Sequence, residues 1–510
     1  MIAHRTVFRR FLAELVLVVG MLAGCAGADG GDSFSQIQAD ENVQDVPRIV
    51  VTYQTYQGSV LTDLDEVVDA INEITVPEIG VEVTFRLVDA REAFSEYPLW
   101  LSRGEEIDLM MLNFQDITAY VSRGMLCPLD ALLQSEGRDI LRLLDEGCYV
   151  TEGTVVDGQT YGTGIVSDVP GRGLGLWVPV SLLKETGLDY EETHIYTVEE
   201  LSEFFARAKA LYPDRYPLGQ ITSGQNYSFY SYYYGMVDAL GAEAATGVLS
   251  EDGRIVNFYG TEEYYTFLKQ MREWYNAGYL YHDAAFTDSY LIDLVNSGLL
   301  LSYPYVSIPD EEIQEIFGEE AVCLRTQEPV IENQDSKGVF WTIPATSTHR
   351  EEAMRFLDRM YADARISNLI QYGIRGKHYV VLDVETGSIG LPYGVSKQTT
   401  GYYNPLGLYG DRRKMYTYES PETIRRRRAY SEEAMQNRKP FRDFVYSSDN
   451  VNLELSAVTE IVERYAPVLE SGCVDLDSCY QEFLMQLQLA GIDRIIADKQ
   501  AQYDRWLAQQ

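Results

Sequence analysis

The residue types that usually carry catalysis are present in this chain, but not at catalytic spacings. Its five histidines, His4, His194, His282, His349 and His378, are scattered, with no HExxH among them, and no CxxC pair occurs. Neither a metal site nor a redox centre is therefore expected, and no cofactor is implied. GxSxG, a Walker A glycine loop and GxGxxG are absent as well. Tyrosine is abundant, with 38 copies, and densest in "NYSFYSYYYG", where Tyr227, Phe229, Tyr230, Tyr232, Tyr233 and Tyr234 would occupy every face of a helix. Not all of them can serve one core. Aromatic faces cover the C–H face of a pyranose while carboxylates and amides meet its hydroxyls, so the chemistry on offer is sugar recognition in a cleft. With 78 acidic residues, a carboxylate pair for glycoside hydrolysis also stays open.

A second chemical position is Cys25. Arg5, Arg9 and Arg10 precede fourteen mostly apolar residues, Phe11 to Gly24, interrupted by Glu14. Such a run is too short to cross a bilayer, which takes ~20 residues. It has the order of a secretory leader. Leu22, Ala23, Gly24 and Cys25 resemble a bacterial lipobox, so residues 1–24 are expected to be removed and Cys25 to carry the lipid. Residues 25–46, rich in Gly, Asp, Asn and Gln, read as a flexible tether. This places the body on the outer face of the cell membrane.

Five further cysteines follow, Cys127, Cys148, Cys323, Cys473 and Cys479. Cys127 with Cys148 and Cys473 with Cys479 are conceivable disulfides there, and the odd count leaves one thiol over. Loss of residues 1–24 removes three arginines and one glutamate, so the formal charge moves from −37 to −39. Phosphate would be repelled, which argues against a nucleic-acid partner. The one basic run, Arg425 to Arg428, has Glu422, Glu432 and Glu433 beside it and reads as a solvated helix face.

The elements that must position these groups follow from periodicity. Ile49, Val50 and Val51 form a continuous apolar run, as in a strand covered on both faces, that turns polar and aromatic towards "YQTYQGS". Leu61 to Ile74 keep helical spacing up to Pro77, and Val81, Val83, Phe85 and Leu87 alternate as a half-buried strand. With "IDLMML" next, the pattern is α/β with a largely parallel sheet. Thr197 and Glu200 form a capping box before a long helix, and Thr348 and Glu351 suggest another before a helix ending at Gly373. The last sixty residues read as amphipathic helix that caps a domain. Glycines 162, 164, 171, 173 and 175 suit a hinge or tight loop with unusual backbone angles.

In order along residues 47 to 510, "VTYQTYQGS", "LSRGEEIDLMML", "GMLCPLDALL", "DGQTYGTGI", "GLWVPVSLLKETGL", "EEAMRFLDRMYAD", "YGIRGKHY" and "AGIDRIIADKQAQYDRWLA" resemble the extracellular solute-binding lipoproteins of Gram-positive carbohydrate ABC importers, distant relatives of maltose-binding protein. "GLGLWVPV" departs from the pattern, since relatives often carry a charge there. The resemblance implies an α/β, two-lobed periplasmic-binding-protein-like fold with hinge crossings and a helical carboxyl-terminal region. Lobe 1 would hold 47–168 plus 330–375 and lobe 2 169–329 plus 376–510, with crossings near "YGTGIVSDVPGRGLG", before "KGVFWTIPATS" and near "YGIRGKHYVV". It further implies a non-enzymatic, monomeric binding protein that delivers a carbohydrate to membrane permeases. A secreted glycosidase or a surface sugar sensor on the same fold are the alternatives. By matching position the ligand contacts would be Tyr53, Tyr56, Asn113, Phe114, Asp168, Tyr227, Tyr230, Tyr303, Tyr305 and Trp341. Each of these rings suits core packing as well as a cleft wall.

Overall fold

The computed structural model describes residues 46–508 apart from 149, 152, 220–246, 251, 288–290, 332–337, 439–443 and 445, and omits the side chains of 114, 115 and 312. Cys25, Tyr227 and Tyr230 lie outside the described residues. Residues 46–510 form one compact unit.

Strand β1 (Arg48–Thr55) pairs in parallel with β2 (Glu82–Asp89) across helix α1 (Leu64–Ile79). The continuous apolar run at its start is buried as expected: Ile49 and Val51 are fully enclosed. Pro77 does not close α1. It sits within the last turn, and the helix ends at Gly80, whose left-handed backbone (φ 66°) lets its N–H reach the Val76 carbonyl. In β2 the alternation fails after Phe85, because Leu87 is exposed and Val88 is buried instead.

Strand β3 (Met110–Asn113) continues the parallel order through a Val51–Leu109 bridge. It pairs on its other side with β8 (Val339–Thr342), which lies antiparallel to both β3 and β4 (Thr163–Gly164). The largely parallel sheet of the sequence reading is thus corrected to a mixed one, since β8 enters after a long excursion and runs the opposite way. In the second half of the molecule β5 (Leu174–Pro179) is the centre of an antiparallel sheet, flanked by β6 (Tyr303–Val306) and β7 (Ala321–Arg325).

Two main cores result. The first joins residues from 49–166, 339–343 and α4 (Arg350–Ala362) with α5 (Ala364–Tyr372), and it also takes Tyr402 and Tyr409. Segment 376–411, expected in the second lobe, therefore supplies side chains to the first core. One helix up to Gly373 was expected; two form, because Asp363 leaves helical geometry and its carboxylate accepts the Arg365 N–H. Helix α4 begins at Arg350 without the Thr348–Glu351 capping box, and the Ser347 hydroxyl accepts the His349 N–H instead.

The second core packs β5 on α2 (Val198–Leu211) and α3 (Glu262–Asn276). Both halves of the Thr197–Glu200 capping box are present on α2. After α6 (Pro421–Gln436), the tail closes this core with α7 (Asn452–Glu470), α8 (Leu476–Ala490) and α9 (Ile492–Leu507). Cys127, Cys148, Cys323, Cys473 and Cys479 are all free thiols.

Candidate functional site

The chain passes between the two cores at 165–173 and 326–331, and the glycines of the first passage have a role the sequence reading misassigned. None of glycines 162, 164, 171, 173 or 175 has a positive φ. They are needed for closeness. A β-carbon on Gly171 would stand 2.5 Å from the Val330 carbonyl oxygen, and one on Gly173 would stand 2.9 Å from the Gln327 carbonyl oxygen. On Gly175 it would meet the Cys323 sulfur at 2.5 Å. Arg172 and Val330 exchange backbone bonds of 3.0 and 3.1 Å, so the two passages lie backbone to backbone.

Asp168 stands at this junction. Its half-buried carboxylate faces the Arg412 guanidinium at 3.6 Å, and its backbone carbonyl accepts the Ser431 hydroxyl at 2.7 Å. Val166 exchanges backbone bonds with Gly410 and Arg412, bringing a third segment to the same place. The chain therefore stays with the first core until about Asp411, beyond the crossing expected near Gly373.

From here a chain of tyrosine rings runs along the edge of the first core. Tyr372 meets Tyr418 edge-on at 5.5 Å and Tyr379 at 6.0 Å; Tyr379 meets Tyr416 at 5.6 Å, and Tyr418 meets Tyr403 at 6.4 Å. All but Tyr379 are half-buried. Lys397 reaches over the Tyr403 ring, 5.5 Å from its centre. Burial pushes the Tyr379 and Tyr418 phenols up to about 12, and burial raises Tyr372 as well. At neutral pH these hydroxyls stay protonated, able to donate and accept as sugar hydroxyls require. The end of β1 joins this face, since Val60 and Tyr403 exchange backbone bonds and Ser59 donates to Asn404. Tyr56 stands there, 47% exposed.

The remaining predicted contacts divide. Tyr53 and Trp341 are corrected to core residues. The Tyr53 ring stacks on Tyr409 at 6.0 Å, and its hydroxyl donates to the Ile370 carbonyl and pairs with the Tyr402 hydroxyl. Trp341, 1% exposed, faces Met111 across β8–β3 and donates its indole N–H to the Leu408 carbonyl at 3.2 Å. Both fill the space between sheet and helices, which leaves no ring face for a ligand. Asn113 is half-buried where β3 ends, and Phe114 opens the helix that follows. Tyr303 and Tyr305, on the second lobe, stack at 5.4 Å and stay half-exposed beside Trp177 and Phe317.

The structure thus brings Tyr56 and Asp168 to one neighbourhood with Tyr372, Tyr403, Tyr416, Tyr418, Lys397 and Arg412, which the sequence reading missed. The available signal was "TTGYYNPLGLYGDRRKMYTYES", tyrosine-rich yet without helical or strand period. Among the described residues no group of three or more His, Cys, Asp or Glu is placed to hold a metal ion, and no helix is long and apolar enough to cross a membrane. A cavity of about 570 Å³ opens elsewhere, beside Glu78, Glu136, Asp139, Arg355, Asp358 and Arg359. Its walls are largely paired already, with Arg359 on Glu78 and Arg355 on Glu352.

A family model described as a domain of unknown function, DUF3502, matches residues 440–508, the helical tail. A carbohydrate ABC transporter substrate-binding protein of Streptococcus pneumoniae serotype 4 (strain ATCC BAA-334 / TIGR4) is 22% identical over 502 residues, 97% of each chain. The solved structure of the N-glycan transport solute binding protein NgtS from Streptococcus pneumoniae has a TM-score of 0.73 at 20% identity, covering 91% of this chain and 99% of that one. NgtS in complex with Man1GlcNAc has a TM-score of 0.63 at 19% identity, covering 91% and 100%. The chain thus has the two-lobed fold of ABC-importer solute-binding proteins, and almost its whole length is similar to a carbohydrate ABC transporter substrate-binding protein.

Proposed function

We propose that this chain is the extracellular, non-enzymatic substrate-binding subunit of a carbohydrate ABC importer. It closes two lobes around an oligosaccharide and hands the sugar to membrane permeases. The observation that carries this reading is the tyrosine edge at the lobe junction, within a fold and a full-length similarity that both belong to sugar-binding relatives. Tyr56, Tyr403 and Tyr418 supply ring faces, and Asp168, Arg412 and Lys397 supply polar partners for hydroxyls. Tyr303 and Tyr305 on the second lobe and Asn113 at the end of β3 are further proposed ligand contacts, while those expected at Phe114, Tyr227 and Tyr230 rest on the sequence resemblance alone. We place lobe 1 at 47–168 plus 330–411 and lobe 2 at 169–329 plus 421–510.

In this reading residues 1–24 are a leader, 25–46 a tether, and Cys25 carries the lipid that holds a monomer on the outer face of the cell membrane. Replacing Cys25 with alanine is expected to leave the chain unlipidated, so that it partitions into the aqueous phase of a detergent separation.

The test of the function is a glycan panel scored by thermal shift, including Man1GlcNAc and Man5GlcNAc, the sugars held by NgtS. At least one oligosaccharide should raise the melting temperature, because a ligand that binds only the folded state stabilises it. It should be recovered intact by mass spectrometry. Cleavage products formed in proportion to protein concentration would instead make the chain a glycosidase.

A further inference from the structure

Helix α6, which carries the basic run, touches the passages between the lobes at several points. Tyr430 is 1% exposed, and its hydroxyl accepts the Gly173 N–H at 2.5 Å and pairs with the Ser307 hydroxyl at 2.9 Å. One residue on, Ser431 donates to the Asp168 carbonyl. The second passage is held beside the same helix: Glu433 pairs at 2.8 Å with the buried Arg325, which ends β7 where the passage begins, and Asn437, just past the helix end, donates to the Pro329 carbonyl at 3.1 Å.

At its other end α6 is fixed to the second lobe. Ser420 and Thr423 both donate to Glu311, and Arg426 pairs with Glu192 at 2.7 Å. Arg427 pairs with Glu419, and Arg428 reaches across to donate to the Thr386 carbonyl in the segment placed with the first lobe, so these three arginines are engaged and not simply a solvated face.

We propose that α6 is the hinge brace: Tyr430 and Glu433 are positioning residues that hold the two passages together and set the resting angle and stiffness between the lobes. The glycines permit the passages to touch, and a helix bonded to both lobes beside them keeps them there. A bend at Asp168–Gly173 must stretch or release the bonds to Tyr430 and Ser431. A ligand that binds only the closed form has its apparent affinity scaled by the closed fraction, so a brace that contacts no ligand still tunes binding. The inference rests on the two-lobed fold and is independent of which ligand the cleft takes.

The test needs no ligand. Spin labels on p-acetylphenylalanine at the exposed positions Leu99, on the first lobe, and Leu489, on the second, report the interlobe distance by pulsed electron paramagnetic resonance in the chain from Cys25 onward. Tyr430→Phe and Glu433→Gln should each broaden the distance distribution and shift its mean relative to the unmutated brace. Tyr264→Phe, which removes a hydroxyl bond to Glu470 inside the second core, is the control that should lower the melting temperature without moving the distances. The half-exposed Glu433 keeps the test decisive should Tyr430→Phe fold poorly. Brace variants that lose melting temperature while their distributions superimpose on the wild type would overturn the proposal.

Discussion

The two cores are built differently. The second is closed mainly by ring contacts between its helices and the tail, Phe205 edge-on to Trp274 at 5.1 Å, Tyr259 edge-on to Phe483 at 5.3 Å and Tyr465 stacked on Phe483 at 5.6 Å, with the Tyr264 and Tyr480 hydroxyls bonded to Glu470 and to the Tyr259 carbonyl. The first assembles remote segments through buried phenols. Tyr53 and Tyr402 both donate to the Ile370 carbonyl, and Tyr361 donates to the Gly164 carbonyl at 2.6 Å. Buried hydroxyls with fixed partners specify which segments meet, whereas ring packing mainly fills volume. The contrast teaches where recognition can sit. The tyrosines of the first core continue outward into half-buried rings at the lobe junction, while the tail helices close the second core from behind.

The sharpest way to break this division is Trp341. If it is a core residue, Trp341→Ala should cost about 3 to 5 kcal/mol of stability in urea melts, with oligosaccharide affinity of the folded fraction unchanged. A loss of affinity without loss of stability would return it to the cleft. Next in size is Gly171→Ala, which forces a β-carbon against the Val330 carbonyl oxygen. It should lower stability by ~1 to 3 kcal/mol in urea melts while leaving the far-ultraviolet circular dichroism of the folded chain unchanged.

A third test uses pH. Desolvation raises the Asp358 carboxyl from 3.8 to about 6, although it accepts the Asp139 and Ile140 N–H groups at 2.8 Å. The folded state therefore holds this proton more tightly than the unfolded chain. The stabilisation is full below about pH 4 and is lost as the pH rises through about 6, an effect of order 1 to 3 kcal/mol. Asp358→Asn should flatten that part of the stability–pH curve; an unchanged slope would mean that the carboxyl is already ionised there. The smallest stability effect is expected at the junction. Tyr418→Ala should weaken oligosaccharide binding by about 1 to 2 kcal/mol while barely moving the melting temperature.

Much of this was legible in the sequence. The fully apolar start of β1, the Thr197–Glu200 box and the helical tail are local signals, and the structure repeats them. Tyr53 and Trp341 show what was not legible. A tyrosine on a strand and a tryptophan after a crossing look alike in sequence whether their rings face a cleft or a helix. Only the return of Leu408 and Tyr409, more than sixty residues beyond Trp341, decides it. The crossing glycines failed for a related reason. Glycine signals either a backbone angle or a close approach, and the partner that makes the approach close, Val330, lies far along the chain. Apart from Tyr372, which ends α5, the tyrosine edge sits between α5 and α6 in backbone where no helical period marks a face.

The measurement closest to the central claim is small-angle scattering on the mature chain, titrated with whichever oligosaccharide raises its melting temperature. Closure predicts a fall in radius of gyration that saturates at one sugar per chain, with the sugar recovered uncut. Saturable binding with no contraction, or contraction accompanied by cleavage products, would contradict the account of this chain as a closing sugar carrier.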